Sequence, residues 1–180
     1  MSLELLIENC KQNDTKAQSE LYKMFSRKMF ALCLKYSRNR AEAEDVLQDS
    51  FITIFKKIEQ YNFKGSFEGW LKRITINTAL QRYRGQGVLN IVDEGQIEDL
   101  VIEAETEDLS IDFLLNCIQE LPDRYRLVFN LYALDGYSHK EIANMLEIST
   151  GTTKSNLARA RMILKNKIET YKSQVNLQSL

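Results

Sequence analysis

A single proline, Pro122, stands in a chain of 180 residues, and glycine is scarce too, at seven. Average usage would supply about nine prolines and about thirteen glycines in this length. A sandwich or barrel of short strands needs such residues at nearly every turn. A chain poor in both has few places to reverse direction, and long helices are what it can build. Its apolar fraction, 44%, suffices for cores and excludes global disorder. The expected class is all-α, as one domain of ordinary size or two small ones.

Apolar residues recur at the helical period through the first half. One stripe is Leu21, Phe25, Met29, Leu32 and Tyr36. A second is Leu47, Phe51, Ile54, Phe55 and Ile58, and a third is Phe67, Trp70, Leu71, Ile74 and Thr78. Asp14 and Ser66 stand where side-chain caps would start the second and fourth helices.

The net charge of −1 argues at first against a nucleic-acid partner, but the charge is unevenly placed. Residues 1–84 carry 15 basic and 10 acidic side chains, residues 85–112 carry 9 acidic and no basic ones, and residues 113–180 carry 9 basic and 6 acidic ones. The pattern predicts two basic helical domains, 1–84 and 113–180, joined by a self-repelling acidic linker, 85–112. Within the linker, Val88 to Val92 is apolar enough to dock as a short segment.

Several classes fall away. No run approaches the roughly 18 apolar residues of a membrane span, and Met1-Ser2-Leu3-Glu4 opens no signal peptide, so the cytoplasm is expected. Cys10, Cys33 and Cys117 are odd in number and widely spaced, as suits buried thiols in a reducing compartment. One histidine and no Cys-x-x-Cys pair give a metal nothing to hold. No nucleophile–base pair or glycine-rich phosphate loop supports an enzyme, and no cofactor is expected. His139 reads as a neutral surface residue.

Two polar features of the first half stand apart from the core. Glu42, Glu44, Asp45, Gln48 and Asp49 cluster on the face away from Phe51, with Asp45 and Asp49 one helical turn apart. Without a His or Cys partner they suit a solvated face or a docking patch for a basic partner better than acid–base work. The other feature is Arg73, Asn77, Leu80 and Arg84, spaced as one helical stripe with Lys64, Lys72 and Arg82 around it. It follows the loop Tyr61-Asn62-Phe63-Lys64-Gly65-Ser66-Phe67. Aromatics beside cations suit unpaired bases on an anionic backbone, though Phe63 and Phe67 serve equally as seals of the core.

The strongest pattern lies after Leu121-Pro122-Asp123. Tyr125, Val128, Phe129, Leu131 and Tyr132 predict a helix ending near Asp135-Gly136. Ser138-x-x-Glu141 has the form of a capping box, opening a helix with Ile142, Ala143 and Leu146. A turn with a buried Ile148 leads to a second helix from about Thr150. Two short helices with a small residue and a tight turn make a helix-turn-helix. Thr153, Leu157, Ala160, Leu164 and Ile168 form the inner stripe of the second helix. Thr152, Ser155 and Arg159 point outward, flanked by Lys154 and Asn156. Gly151 to Lys167 holds five basic residues and no acidic one, as a recognition helix requires.

These runs resemble the sigma factors of bacterial RNA polymerase, in the extracytoplasmic-function group of the sigma-70 family. Leu121–Phe129, Gly136–Ala143 and Gly151–Arg161 are similar to that family's region four. Ala43–Phe51 resembles the part of region two that docks on the polymerase clamp, and Phe67–Ala79 the part that opens and reads the −10 element. The resemblance implies a promoter-specificity subunit with polymerase core (the β′ clamp and β subunit) and promoter DNA, duplex and melted non-template strand, as partners. An anti-sigma protein is a further partner it makes plausible. It implies that Asp45, Gln48 and Asp49 contact the β′ coiled coil, and that Tyr61, Phe63, Lys64 and Phe67 capture an unstacked base. Arg73, Asn77 and Arg84 would hold the melted strand. Thr152, Lys154, Ser155, Asn156, Arg159 and Arg161 would meet the −35 element. This chain departs from the family at Asn156, often basic there, and at Thr153, often apolar. The alternative is a stand-alone helix-turn-helix regulator binding duplex DNA as a dimer, which leaves the first half unexplained.

Overall fold

The computed structural model describes residues 2–84 and 109–178, and within them the chain is helical. The elements are α1 (Leu3–Lys11), α2 (Thr15–Tyr36), α3 (Arg40–Lys57), α4 (Phe67–Gln81), α5 (Ile111–Gln119), α6 (Asp123–Phe129), α7 (His139–Leu146) and α8 (Thr150–Gln178). A 3-10 turn, Ile58–Gln60, closes α3, and a π-helical turn, Asn130–Leu134, continues α6. No strand occurs among the described residues. The chain divides into two units, Met1–Arg82 and Tyr83–Leu180. Most of the expected linker, with its apolar segment Val88 to Val92, lies outside the described residues. At its far end α5 begins at Ile111, inside the stretch expected to be linker, because Ser110 Oγ accepts a hydrogen bond from the Phe113 amide at 3.2 Å.

Each helix of the first unit opens on a side chain that satisfies an orphan amide. Asp14 caps α2, accepting from the Lys16 amide at 2.8 Å, and Ser66 caps α4, accepting from Gly69 at 3.3 Å. Asn39 does the same for α3 and Ser2 for α1. α2 packs on α3 and α4, α3 on α4, and α1 on α2. Leu21, Phe25, Met29 and Leu32 of α2 meet Val46, Phe51 and Ile54 of α3 and Phe67, Leu71 and Leu80 of α4 in the buried core. α4 buries more of its circumference than one stripe. Thr75, Ile76 and Ala79 are covered as well, and Thr75 satisfies its hydroxyl by donating to the Leu71 carbonyl at 3.0 Å.

In the second unit Pro122 stands at the N-cap of α6. The helix ends in the π turn, and Gly136, at φ +75°, reverses the chain. The capping box of α7 is present: Ser138 Oγ accepts from the Glu141 amide at 3.3 Å, and the Glu141 carboxylate accepts from the Ser138 amide at 2.8 Å. The turn between α7 and α8 is made by Glu147 at φ +58°, where glycine would carry no penalty. Ile148 is half-buried rather than buried. Cys117, Leu121 and Tyr125 pack with Ala160 and Leu164 of α8.

Arg126 is the least expected core member, at 2% exposure. Its guanidinium donates to the Leu121 carbonyl at 3.1 Å and the Gln119 carbonyl at 3.2 Å, and pairs with Asp123 at 2.5 Å. It thereby ties the end of α5 to the start of α6, supplying donors to carbonyls that the end of a helix leaves open. All three thiols are free and buried. Burial pushes Cys10 up to about 11 and Cys33 up to about 12, and raises Cys117 as well.

Candidate functional site

Ala43, Val46, Leu47 and Ser50 turn α3 toward the core, so residues on the opposite side, Asp45, Gln48 and Asp49, face solvent together. The rest of the acidic cluster is used locally. The Glu42 carboxylate accepts from the Arg38 amide at 2.6 Å, and Glu44 pairs with Arg40 at 2.9 Å. Asp45 and Asp49 are engaged as well. Arg82, just past the end of α4, reaches Asp49 at 3.0 Å and Asp45 at 3.9 Å. Read along the chain, Arg82 belongs to the basic stripe. The packing of α4 on α3 gives it to the carboxylates instead.

The loop between the 3-10 turn and α4 divides by burial. Tyr61 and Phe67, both expected to touch a base, are sealed into the core. The Tyr61 ring lies edge-on to Phe67 at 4.9 Å between centroids and its hydroxyl donates to the Gly65 carbonyl at 2.9 Å. Trp70, half-buried, stacks on Phe67 at 5.7 Å. These two are corrected to supports of the loop, because the aromatic cluster leaves neither a free face. Phe63 is different: it is 42% exposed and sits at φ +59°. Lys64 is exposed beside it. Lys11 of α1, which the sequence did not single out, lies over the Phe63 ring at 4.7 Å.

Along α4, Arg73 is exposed and Asn77 half-buried, while Leu80 of the same expected stripe is core. Lys72 and Lys28 both hold Glu68, at 3.1 and 2.7 Å. Hydrogen bonds from Lys28 and then Lys72 keep the Glu68 carboxyl below its ordinary range. Arg84 is a correction. α4 ends at Gln81, so the helical spacing that aligned Arg84 with Arg73 and Asn77 no longer applies. Arg84 falls in the second unit, where its Nε donates to the Met145 carbonyl at 3.0 Å.

The helix-turn-helix presents Lys154 exposed, and Thr152, Ser155, Arg159 and Arg161 half-buried. Ser149 Oγ accepts from the Thr152 amide at 3.0 Å and anchors the start of α8. Ser155 Oγ donates to the Thr152 carbonyl at 3.1 Å, and Arg161 lies over the Tyr132 ring at 5.9 Å. Asn156 is corrected: it is 3% exposed. At about 100° per residue it stands about 60° from Thr153, inside the buried arc. Thr153 is fully buried, and its hydroxyl donates to the Thr150 carbonyl at 2.8 Å and meets His139 Nδ1 at 3.0 Å. His139, expected on the surface, is half-buried and stacks on Tyr132 at 4.6 Å. A hydroxyl at 153 and an imidazole at 139 thus fasten α7 to α8, which accounts for a polar residue on an inner stripe. No group of three or more metal-ligating side chains occurs among the described residues, nor any helix long and apolar enough to cross a membrane.

The chain matches two family models, described as sigma-70 region 2 over residues 21–88 and sigma-70 region 4 over residues 114–164. It is 31% identical to the ECF RNA polymerase sigma-E factor of Haemophilus influenzae, with 92% of this chain and 95% of that protein covered. It is 29% identical to the ECF RNA polymerase sigma factor SigW of Bacillus subtilis, over 93% of this chain and 97% of the other. Among solved structures it resembles the sigma factor RpoE of Bartonella quintana, crystallised with the anti-sigma factor NepR. The TM-score there is 0.53 at 21% identity, with 84% of this chain and 96% of that one covered.

Proposed function

We propose, since this chain belongs to the extracytoplasmic-function group of the sigma-70 family, that its two units grip two elements of one promoter while both ride on the polymerase. As a member of that family it is a promoter-specificity subunit of bacterial RNA polymerase, binding core enzyme and promoter DNA. The reading as a lone dimeric regulator loses its footing because region 2 and region 4 follow one another in the same chain. That succession is the observation that carries the function. On this reading the work is done in the cytoplasm, where polymerase and promoter meet.

The exposed row Asp45, Gln48 and Asp49 docks on a basic surface of the β′ clamp. Phe63 takes the face of an unstacked base, and Lys64, Arg73 and Asn77 hold the backbone of the melted non-template strand. Capture of bases in this way offsets a few kcal/mol of unstacking. Lys154, Ser155 and Arg159, with Thr152 and Arg161 beside them, enter the major groove of the −35 element. Each unit alone binds weakly. The polymerase holds both, and the tether sets the effective concentration of the second contact. The similar RpoE of Bartonella quintana was crystallised with an anti-sigma factor, and we include an anti-sigma protein among the partners.

Run-off transcription by reconstituted holoenzyme on a randomised promoter library tests the reading. Transcripts enriched for two spaced elements support it. Tight, selective promoter binding by the chain without core polymerase would overturn it.

A further inference from the structure

We infer that Lys11 is a positioning residue for the base-capturing loop, an inference that rests on the reading of Phe63 as the stacking platform. α1 lies wholly ahead of the segment that matches region 2, residues 21–88. Yet its last residue reaches that region's loop. A lysine at a helix end is ordinarily solvated, but the Lys11 side chain is only 17% exposed. Its ammonium pairs with Glu8 at 2.9 Å and sits 4.7 Å from the centre of the Phe63 ring. A cation over an aromatic face is attracted by the ring's quadrupole.

Phe63 has need of such a brace. Its φ of +59° is an outlier for a bulky residue and persists only when surroundings enforce it. Tyr61 supports the ring from the core at 5.2 Å, and Lys11 holds it from α1, while 42% of the residue stays open to solvent. A platform already held in place receives a base without having to be ordered first. Removing the ammonium lets the backbone relax out of the left-handed region and carries the ring away.

The test uses holoenzyme built from core polymerase and the full chain. The probe is fork-junction DNA carrying either an intact nucleotide or an abasic site at each position of the melted non-template segment. Wild type is expected to prefer the intact base at one position. Lys11→Met narrows that preference about fivefold, the worth of one cation–π contact, with core binding and melting temperature unchanged. Lys11→Arg, which keeps the cation, retains it.

Three results would overturn the inference. If Lys11→Met keeps the full preference while Phe63→Ala loses it, base capture stands and Lys11 plays no part. If Lys11→Met weakens intact and abasic probes equally, Lys11 is a phosphate contact. If Phe63→Ala also keeps the preference, the capture reading falls and takes this one with it. Should the methionine variant fold poorly, loss of preference in a well-folded Lys11→Arg protein is equally fatal.

Discussion

Removing Arg82 should strengthen binding to the polymerase. Its guanidinium holds Asp49 at 3.0 Å and Asp45 at 3.9 Å, with side-chain exposures of 31% for the arginine and 55% and 67% for the aspartates. At such exposure each pair contributes about 0.2–1 kcal/mol after solvent screening and side-chain entropy. Since they share one arginine, the clasp as a whole is worth about 1 kcal/mol. The proposed docking of these carboxylates on a basic surface would have to break it. Arg82→Ala is therefore expected to cost the fold no more than about 1 kcal/mol and to raise core affinity up to about fivefold. Asp49→Arg should lose at least about tenfold in core affinity through like-charge repulsion. The swap Asp49→Arg with Arg82→Asp rebuilds an ion pair and recovers folding stability, but leaves docking broken. Competition against labelled wild-type chain for core polymerase, run beside urea unfolding, reads both quantities. The advantage of Arg82→Ala should shrink as salt shortens the Debye length. If Arg82→Ala instead binds core more weakly than wild type, Arg82 presents the aspartates and the competition argument is refuted. Undiminished core binding by Asp49→Arg would refute the docking surface itself.

Other perturbations address the rest of the molecule. Arg126→Met removes the buried guanidinium that the Asp123 carboxylate and two carbonyls share, and should destabilise the second unit by about 3–5 kcal/mol in denaturant unfolding. Glu147→Gly relieves a left-handed residue and should stabilise by roughly 1 kcal/mol, read as a higher melting temperature. The thiols Cys10 and Cys33, raised to about 11 and about 12 by burial, should resist alkylation at pH 8 until the chain unfolds. Because their folded values exceed the unfolded one, their contribution is complete below the unfolded thiol's range, about 8.5. It is lost as pH rises toward about 11 and 12, and a stability-against-pH series would show the decline on the alkaline side. Asn156→Ala should leave the −35 sequence preference as it is, whereas Arg159→Ala should relax it, as selection from a randomised −35 library would reveal.

The backbone was legible where one residue's local chemistry decides the outcome. Asp14, Ser66 and Ser138 cap helices because a short side-chain oxygen meets an orphan amide within the same turn, and nothing distant enters. The stripes through Leu21 and Leu157 followed because burial along a helix is periodic. Extrapolated periodicity failed where a helix stopped. Arg84 lies beyond the end of α4, and so its alignment with Arg73 was lost. It also failed at the margin of a stripe: Asn156 is polar in type but stands within the buried arc, and type had outweighed position. Tyr61 and Phe67 were open to two readings, and only the contacts among Tyr61, Phe67 and Trp70 decide between them. Arg126, Arg82 and Lys11 were illegible for a common reason. Each long cation acts on groups that neighbouring helices or loops bring to it, and the sequence gives its charge without its reach.

That reach also changes what the charge pattern means. The first unit's positive charge pointed to nucleic acid, yet several of its cations are held in ion pairs inside the unit. Lys11 is with Glu8, Lys28 and Lys72 with Glu68, Arg40 with Glu44, and Arg82 with two aspartates. Lys64 and Arg73 are exposed and in no ion pair among the described residues. Few cations near the loop are therefore left to neutralise phosphates, and the salt dependence of binding scales with that number. A shallow slope for the melted strand follows, with loss of Arg73 removing a larger share of it than the residue count of the unit suggests. On the proposed reading, recognition there leans on stacking at Phe63 more than on charge, and the geometry of one strained aromatic then matters to a chain otherwise built from ordinary helices.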